Sequence, residues 1–348
     1  MTPLLKAFVF GICLTFVVTA NLQTALGADA KVFASPEQAA AALVAAVKKE
    51  DRDGVLAVIG PDSEGWILSG DPVQDKEDVK RFITAYEKKN GIEKEGDEKA
   101  VLVVGDDKFP FPFPIVKTAK GWAFDAEQGK EELLNRRVGR NELNTIQVLL
   151  AVADAQFEYA SVDRDDNGVL EYAAKLASSE GERDGLYWPT EDGEPLSPLG
   201  PLVAEAIEEG YGDDEDAEEE ASEADDGAAG EASSETASAE ENAGEDEEWS
   251  DDTEPYHGYR FRLLPRQGAN APGGAHEYMV GNQVIGGFAI LAYPATYGNS
   301  GVMTFMLSHE GTVYDADLGP ETAELAEAIE SFDPGEGWEK FEVKQAAE

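Results

Sequence analysis

The residues best suited to chemistry fall in one short run, Asp163-Arg164-Asp165-Asp166-Asn167-Gly168-Val169-Leu170-Glu171. Counted from Asp163, side-chain oxygens stand at positions 1, 3 and 5, glycine at 6, an apolar residue at 8 and Glu171 at 9. Calcium loops use hard oxygens at this alternate spacing, with a glycine where the chain turns sharply. Asp163, Asp165, Asn167 and Glu171 are therefore candidate calcium ligands, joined by the Val169 carbonyl. The loop supplies about five oxygens where calcium takes six to eight. The bidentate glutamate of position 12 is replaced by Ala174, so Glu180, Glu182 or Asp184 would have to complete the shell. An Asx-rich turn, its side chains bonded to nearby N–H groups, is the other reading of the same residues. Calcium is the one cofactor the sequence suggests.

Elsewhere the sequence offers little for catalysis, and no catalytic residue is assigned. The three histidines, His257, His276 and His309, all lie in the second half. Ser308-His309-Glu310 are adjacent, so on a strand or turn their side chains diverge and cannot relay a proton. Gly286-Gly287 and Gly273-Gly274 lack the strand–turn–helix setting and the lysine of a phosphate loop. Trp66, Tyr86, Trp122 and Phe124 either line an apolar cavity or make ordinary core.

Charge narrows the partners. Lys and Arg total 27 against 72 Asp and Glu, a net −45 over 348 residues. Such a surface repels nucleic acid and anionic lipid, and suits cations, basic partners or simple solubility. Arg260 and Arg262 form a rare basic spot. The N-terminus reads as a secretory signal peptide over 1–28: Lys6, an apolar run from Ala7 to Ala20, then small residues at Ala25, Gly27 and Ala28. That run is shorter than the roughly 20 residues that span a bilayer, so stable membrane insertion after cleavage is not expected. The only cysteine, Cys13, lies inside the run, with Phe10, Gly11 and Ile12 before it, which does not make a lipoprotein site. The expected location is periplasmic or secreted, with a mature chain free of thiols.

The elements around these residues suggest an α+β chain in two domains, 29–136 and 137–348. Ser35, Pro36 and Gln38 start a first helix that runs to about Lys49. A short apolar segment stops at Gly60-Pro61, and a helix follows over about Asp75 to Lys89. Strands are expected at Ala100–Val104, Phe113–Thr118 and Trp122–Phe124. In the second domain Leu143, Ile146, Leu150, Ala153 and Phe157 step by three and four, which predicts a helix from about Asn141 to Ala160 packing by that stripe. A further helix is expected over Pro198–Glu209. The interval 211–254 is expected to be a disordered acidic insert. From Asp213 to Glu254 it holds 21 Asp or Glu and no Lys or Arg, leaving −24 for the rest, and such a stretch cannot bury enough apolar surface to offset ordering entropy. Strands follow at about 259–263, 287–293, 301–307 and 312–315, and a last helix over about Pro320–Phe332.

These segments resemble the bacterial domain-of-unknown-function family numbered 2950. The residues that carry the likeness are Phe33-Ala34-Ser35-Pro36, Asn141-Glu142 through Tyr159-Ala160, Asp166-Asn167-Gly168 through Ala173, and Gly185-Leu186-Tyr187-Trp188. Further matches are Ser197 to Pro201, His257-Gly258-Tyr259-Arg260-Phe261, and Gly301-Val302-Met303-Thr304-Phe305 on to Gly319. The family brings no established activity. The second half is also similar to the globular part of type IV pilins and pseudopilins, in which a helix ending in a phrase like Ala155-Gln156-Phe157-Glu158-Tyr159 packs on a meander. The prepilin processing site is missing from the N-terminus. The order of elements in the first half is similar to the NTF2-like cone, although the His–Asp pair common in enzymes of that fold has no histidine here to form it. Three functions remain open: a non-catalytic binding or scaffold component of the cell envelope that meets an envelope protein or basic partner, a small-ligand carrier or enzyme using the first domain, and a calcium-stabilised structural module.

Overall fold

A computed structural model describes residues 30–164, 167–190, 193–211 and 255–341. The expected signal peptide lies outside the described residues, as do residues 212–254 of the expected insert. The chain is α+β.

The longer helices of the first half start on side-chain caps. In α1 (Pro36–Val47) Ser35 Oγ accepts from the Gln38 N–H at 3.3 Å. In α2 (Arg52–Ile59) Asp51 accepts from Gly54 at 2.8 Å. After the single turn α3 (Glu64–Ile67), α4 (Pro72–Lys88) is capped by Asp71, whose Oδ1 accepts from Gln74 at 2.9 Å. Each cap satisfies an N–H that the helix itself cannot. Next come β1 (Asn90–Glu95), β2 (Lys99–Val104), β3 (Phe109–Pro110), β4 (Ile115–Thr118) and β5 (Gly121–Phe124), in an antiparallel sheet ordered β1-β2-β4-β5 with β3 beside β2. Leu43, Ile59, Leu102, Ile115 and Phe124 fill its core. Phe124 is fully buried, while Trp66, Tyr86 and Trp122 are half-buried and pack against that core. Trp66 stacks on Phe113 at 5.9 Å between ring centroids, and Phe111 lies 5.4 Å from Phe113.

Helix α5 (Ala126–Tyr159) is 34 residues long and starts on the Asp125 cap, 15 residues before the expected start at Asn141. Residues 127–140 are mostly polar and charged, so they carry no apolar period to read. The expected division after residue 136 falls inside this unbroken helix. Its first turns lie against the first core, where Gly129 is needed: a Cβ there would sit 2.1 Å from the Phe113 ring. Leu133 packs on the same core.

The second half adds the parallel pair β6 (Lys175–Ala177) and β7 (Gly185–Tyr187), and α6 (Gly200–Glu209). It continues with β8 (Tyr259–Leu264) and the short strands β9 (Arg266–Gln267), β10 (His276–Glu277), β11 (Met279–Val280) and β12 (Gln283–Val284). The last strands are β13 (Ala289–Pro294), β14 (Met303–Ser308), β15 (Val313–Asp317) and β16 (Glu339–Lys340), with α7 (Thr322–Glu327) between the final two. The antiparallel order is β16-β15-β14-β13-β8. All six residues of β13 are buried, because both faces of the sheet are covered. Ile290 and Ala292 point to the core under α5, and Ala289, Leu291 and Tyr293 to the core shared with α7 and Phe332, the period of two that a pleated strand dictates.

Two expectations are corrected. The final helix ends at Glu327 rather than near Phe332, because Arg262 donates to the carbonyls of Ala326 (2.6 Å), Glu327 (3.1 Å) and Ile329 and caps it there. The chain then turns to bridge Phe332 to Gln267. Nor does α5 pack by the stripe read from sequence. Ile146 and Ala153 are buried, but Leu143, Leu150 and Phe157 are 61%, 39% and 45% exposed. The buried face includes Asn141, Thr145 and Gln156 instead, and each has partners. Asn141 Nδ2 donates to Ser300 O at 2.9 Å, although its Oδ1 is buried without a bond, and Thr145 Oγ1 donates to Asn141 O at 2.8 Å. The Gln156 amide exchanges bonds of 2.9 and 3.0 Å with the Ala173 backbone. Hydrogen bonds of this kind let polar side chains occupy core positions.

Candidate functional site

A buried polar cluster lies where the two halves meet, around Asp71. This carboxylate is 1% exposed. Besides capping α4, its Oδ2 accepts from the Tyr211 hydroxyl at 2.8 Å and from the Gly258 N–H at 3.0 Å. The Tyr211 oxygen in turn accepts from the His257 N–H at 3.3 Å. Tyr211 is the last described residue before 212–254, and Tyr256 and His257 follow just after. Tyr211 meets Tyr256 edge-on at 4.9 Å, and Tyr256 lies 4.1 Å from the His257 ring. Asp71 thus ties together both ends of the acidic interval.

Two backbone features make this approach possible. His257 has φ +51°, a left-handed conformation that costs a non-glycine residue strain. Gly258 follows at φ +77°, and a Cβ there would lie 2.7 Å from Asn141 Nδ2 and 2.9 Å from Ser300 Cβ. Helix α5 supplies the rest. Glu142 Oε1 accepts from the N–H groups of Val302 and Met303 at 3.1 and 3.0 Å. Arg140 makes a two-pronged pair with Asp78 at 2.8 and 2.9 Å. The buried guanidinium of Arg137 donates to the carbonyls of Trp66, Ile67 and Leu68 at 3.1, 2.8 and 3.3 Å, and to Asn299 Oδ1. Those carbonyls belong to the end of α3, so one arginine of the shared helix closes an element of the first half onto a loop of the second.

The electrostatics are those of a joint. Burial pushes the Tyr211 phenol up, aided by the neighbouring Asp71 carboxylate, so the hydroxyl stays protonated and donating. Burial likewise raises Tyr256 and Glu209. It lowers His257, with Asp71 pulling the other way, so the ring is neutral near pH 7. His257 Nε2 stands 3.6 Å from Glu209 Oε2, and its Nδ1 is buried without a bond.

The loop singled out from sequence behaves as a turn where it is described. Asp163 accepts from the N–H groups of Asn167 (3.2 Å) and Gly168 (2.9 Å), and Asn167 Oδ1 from Val169 (2.8 Å). Asn167 Nδ2 donates to Glu171 Oε1 at 2.8 Å, and Glu171 Oε2 accepts from Val284 at 3.1 Å. Asp163, Asn167 and Glu171 are therefore brought together, with Gly168 at φ +85°. Asp165 lies outside the described residues. Among the described residues no group of three or more His, Cys, Asp or Glu is arranged to hold a metal ion. His276 and His309 flank the Tyr278 ring at 5.7 and 6.0 Å, and the Ser308 hydroxyl oxygen meets the Glu310 N–H at 3.4 Å, not an imidazole.

Asp71, Arg137, Tyr211 and Asn299 were not found by sequence reasoning as site residues. Asp71-Pro72 carries a readable helix-start signal, but its second role depends on residues 140 and 187 positions away. Among the described residues no helix is long and apolar enough to cross a membrane.

Several blocks named for the family resemblance converge on this joint: Asn141-Glu142, His257-Gly258 and Gly301-Val302-Met303. No curated protein and no solved structure matches the chain. A family model described as "Protein of unknown function (DUF2950)" matches residues 30–341, nearly all of the chain. The chain belongs to the DUF2950 family.

Proposed function

We propose that the protein is an exported, non-catalytic component of the cell envelope that binds a protein partner or scaffolds an assembly, working in the periplasm or outside the cell. The observation that carries this reading is how the polar groups of the joint are used. Asp71 and Arg137 spend their hydrogen bonds on holding elements of the two halves together, and Asn141 and Glu142 theirs on fixing α5 to the 300–303 segment. A catalytic site instead needs a nucleophile or base aimed at open space where a substrate can lie. The aromatic residues of the first half pack on one another, which weighs against a carrier cavity there. An apolar cleft of about 130 Å³ beside Tyr278 and Phe288 is smaller than the roughly 300–1,000 Å³ of most ligand sites. The leader composition supports export.

Chemical cross-linking in intact cells, followed by purification through a tag placed after residue 348, tests the proposal. A reproducible envelope partner, with a mature N-terminus near residue 28, is the expected result. Recovery of the intact Met1 form from cytosol, with no partner at low salt, would overturn it.

A further inference from the structure

The exposed side of α5 has a pattern that the fold does not use. Leu143, Leu150 and Phe157 are spaced by seven and all exposed, so they lie in one row along about 20 Å of helix. The row continues off the helix. The Phe157 ring meets Phe288 edge-on at 5.5 Å, and Phe288 lines the apolar cleft whose rim includes Met279, 49% exposed. Phe288 itself is buried, so the open part of the track is the row on α5 with Met279 beyond it, and a monomer seldom leaves such a row open unless something binds there.

The charge around the track selects the occupant. Asp154 and Glu158 are exposed beside it on α5, Glu277 precedes the cleft residue Tyr278, and the Glu310 carboxylate acts on the Tyr278 phenol. Residues 141–163 contain no Lys or Arg, and neither do residues 267–339, which carry 11 Asp or Glu. The cations next to the row and the cleft are engaged elsewhere, Arg140 with Asp78, Lys175 with Asp184, Arg266 with Glu330 and Arg262 with the carbonyl of Ala326. Another copy of this chain would bring the same carboxylates to the same place, and an anionic lipid surface would be repelled. A heptad row on one helix is what a second helix packs against, and apolar anchors inside an acidic rim match a helix with a leucine seam and lysine or arginine flanks.

We infer that the exposed Leu143–Leu150–Phe157 row, with Met279 on the rim of the adjoining cleft, forms a docking surface for a cationic amphipathic helix of a protein partner. The inference rests on the binding-component reading above and supplies its surface and the chemistry of its partner.

The test uses the full mature chain and a synthetic 18-residue peptide of leucine and lysine, with leucines at heptad a and d positions. Controls are the same composition in scrambled order and a leucine–glutamate version. Titration calorimetry should show one-to-one binding of the patterned lysine peptide alone, weakening as salt rises. Leu150→Ser/Phe157→Ser, at exposed positions, should weaken it about tenfold or more. Leu143→Ser, at the other end of the row, serves as the second variant if the double variant melts early. A chain lacking residues 212–254 should bind within about twofold of the parent, because the row and not the polyanionic interval makes the contact. Several results would overturn the inference: equal binding of the scrambled peptide, loss of binding with residues 212–254, or indifference to the serine substitutions. So would self-association that Leu150→Ser/Phe157→Ser abolishes, which would make a second copy the occupant. An envelope partner recovered by cross-linking alongside a failed peptide titration would sink this surface and leave the envelope reading standing.

Discussion

The phenol of Tyr211 donates to the carboxylate of Asp71 at 2.8 Å, joining residues 140 positions apart in the chain. The bond closes the last described turn before the acidic interval onto the first turn of α4. Tyr211→Phe removes one of three donors to Asp71 and leaves the ring in place. A loss of about 1–2 kcal/mol is expected, the range for a hydrogen bond to a charged acceptor. Asp71→Ala loses the helix cap as well and strands both Tyr211 and the Gly258 N–H, so roughly 3 kcal/mol or more is expected. Urea unfolding of the three proteins side by side measures the difference. A Tyr211→Phe variant as damaging as Asp71→Ala would show that the ring's packing, not its hydroxyl, matters.

Arg137 should resist even its closest replacement. Its flat guanidinium reaches three successive carbonyls and Asn299 at once, a geometry that a lysine ammonium cannot copy. Arg137→Lys is expected to cost about 2–4 kcal/mol and Arg137→Met a similar amount. Near-native stability of the lysine variant, read by thermal unfolding, would contradict this.

His257 gives the joint a pH dependence of definite sign. Its folded pKa is lowered by burial, so the unfolded chain binds the proton more tightly. Stability should therefore fall as pH drops below about 6.5 and level off below the folded pKa. Asp75 and Glu209 have raised pKa values from burial and oppose this at lower pH. His257→Asn keeps a residue tolerant of the left-handed backbone and removes the titration, so its stability profile between pH 7 and 5.5 should be flatter than that of the parent. Parallel profiles would remove His257 as the cause.

Replacing residues 212–254 with a linker of about five residues should leave the fold intact and, by loop-closure entropy alone, stabilise it by about 2 kcal/mol. The ends already meet through Tyr211 and His257. The net charge would fall from −45 to −24, with earlier elution from an anion exchanger. A loss of cooperative unfolding would show that the interval takes part in the core.

For the Asp163 loop, the bonds to Asn167 and Gly168 predict that Asp163→Ala costs about 1 kcal/mol with or without metal. Calcium added to chelator-treated protein should not move the melting temperature. A rise of several degrees that Asp163→Ala/Asp165→Ala abolishes would establish the ion site.

Much of the fold could be read from local chemistry. Ser35 marks its helix start in sequence by an oxygen that accepts from the N–H three residues on, and Asp51 and Asp71 cap in the same way although the sequence reading began the later helix only at Asp75. Strands β8 and β13–β15 show the apolar content of a covered sheet. What stayed hidden depends on distant partners. Asn141, Thr145 and Gln156 look like surface residues of α5 until Ser300 and Ala173 supply their bonds, and once they are inside, Leu143, Leu150 and Phe157 rotate outward. Gly129 signals a weak helix position in sequence; its purpose appears only when Phe113 fills the space a Cβ would take. Arg137 shows no local sign of burial, because three carbonyls from α3 create its niche.

Helix α5 is about 50 Å of unbroken rod with one core at its start and another along its second half. A hinge between those cores would have to bend the rod and tear Arg137 from α3, so the halves move as a single lever. Tension applied at one end is delivered to the other without slack, and a partner seated on the row of Leu143, Leu150 and Phe157 would grip the molecule by its stiffest member.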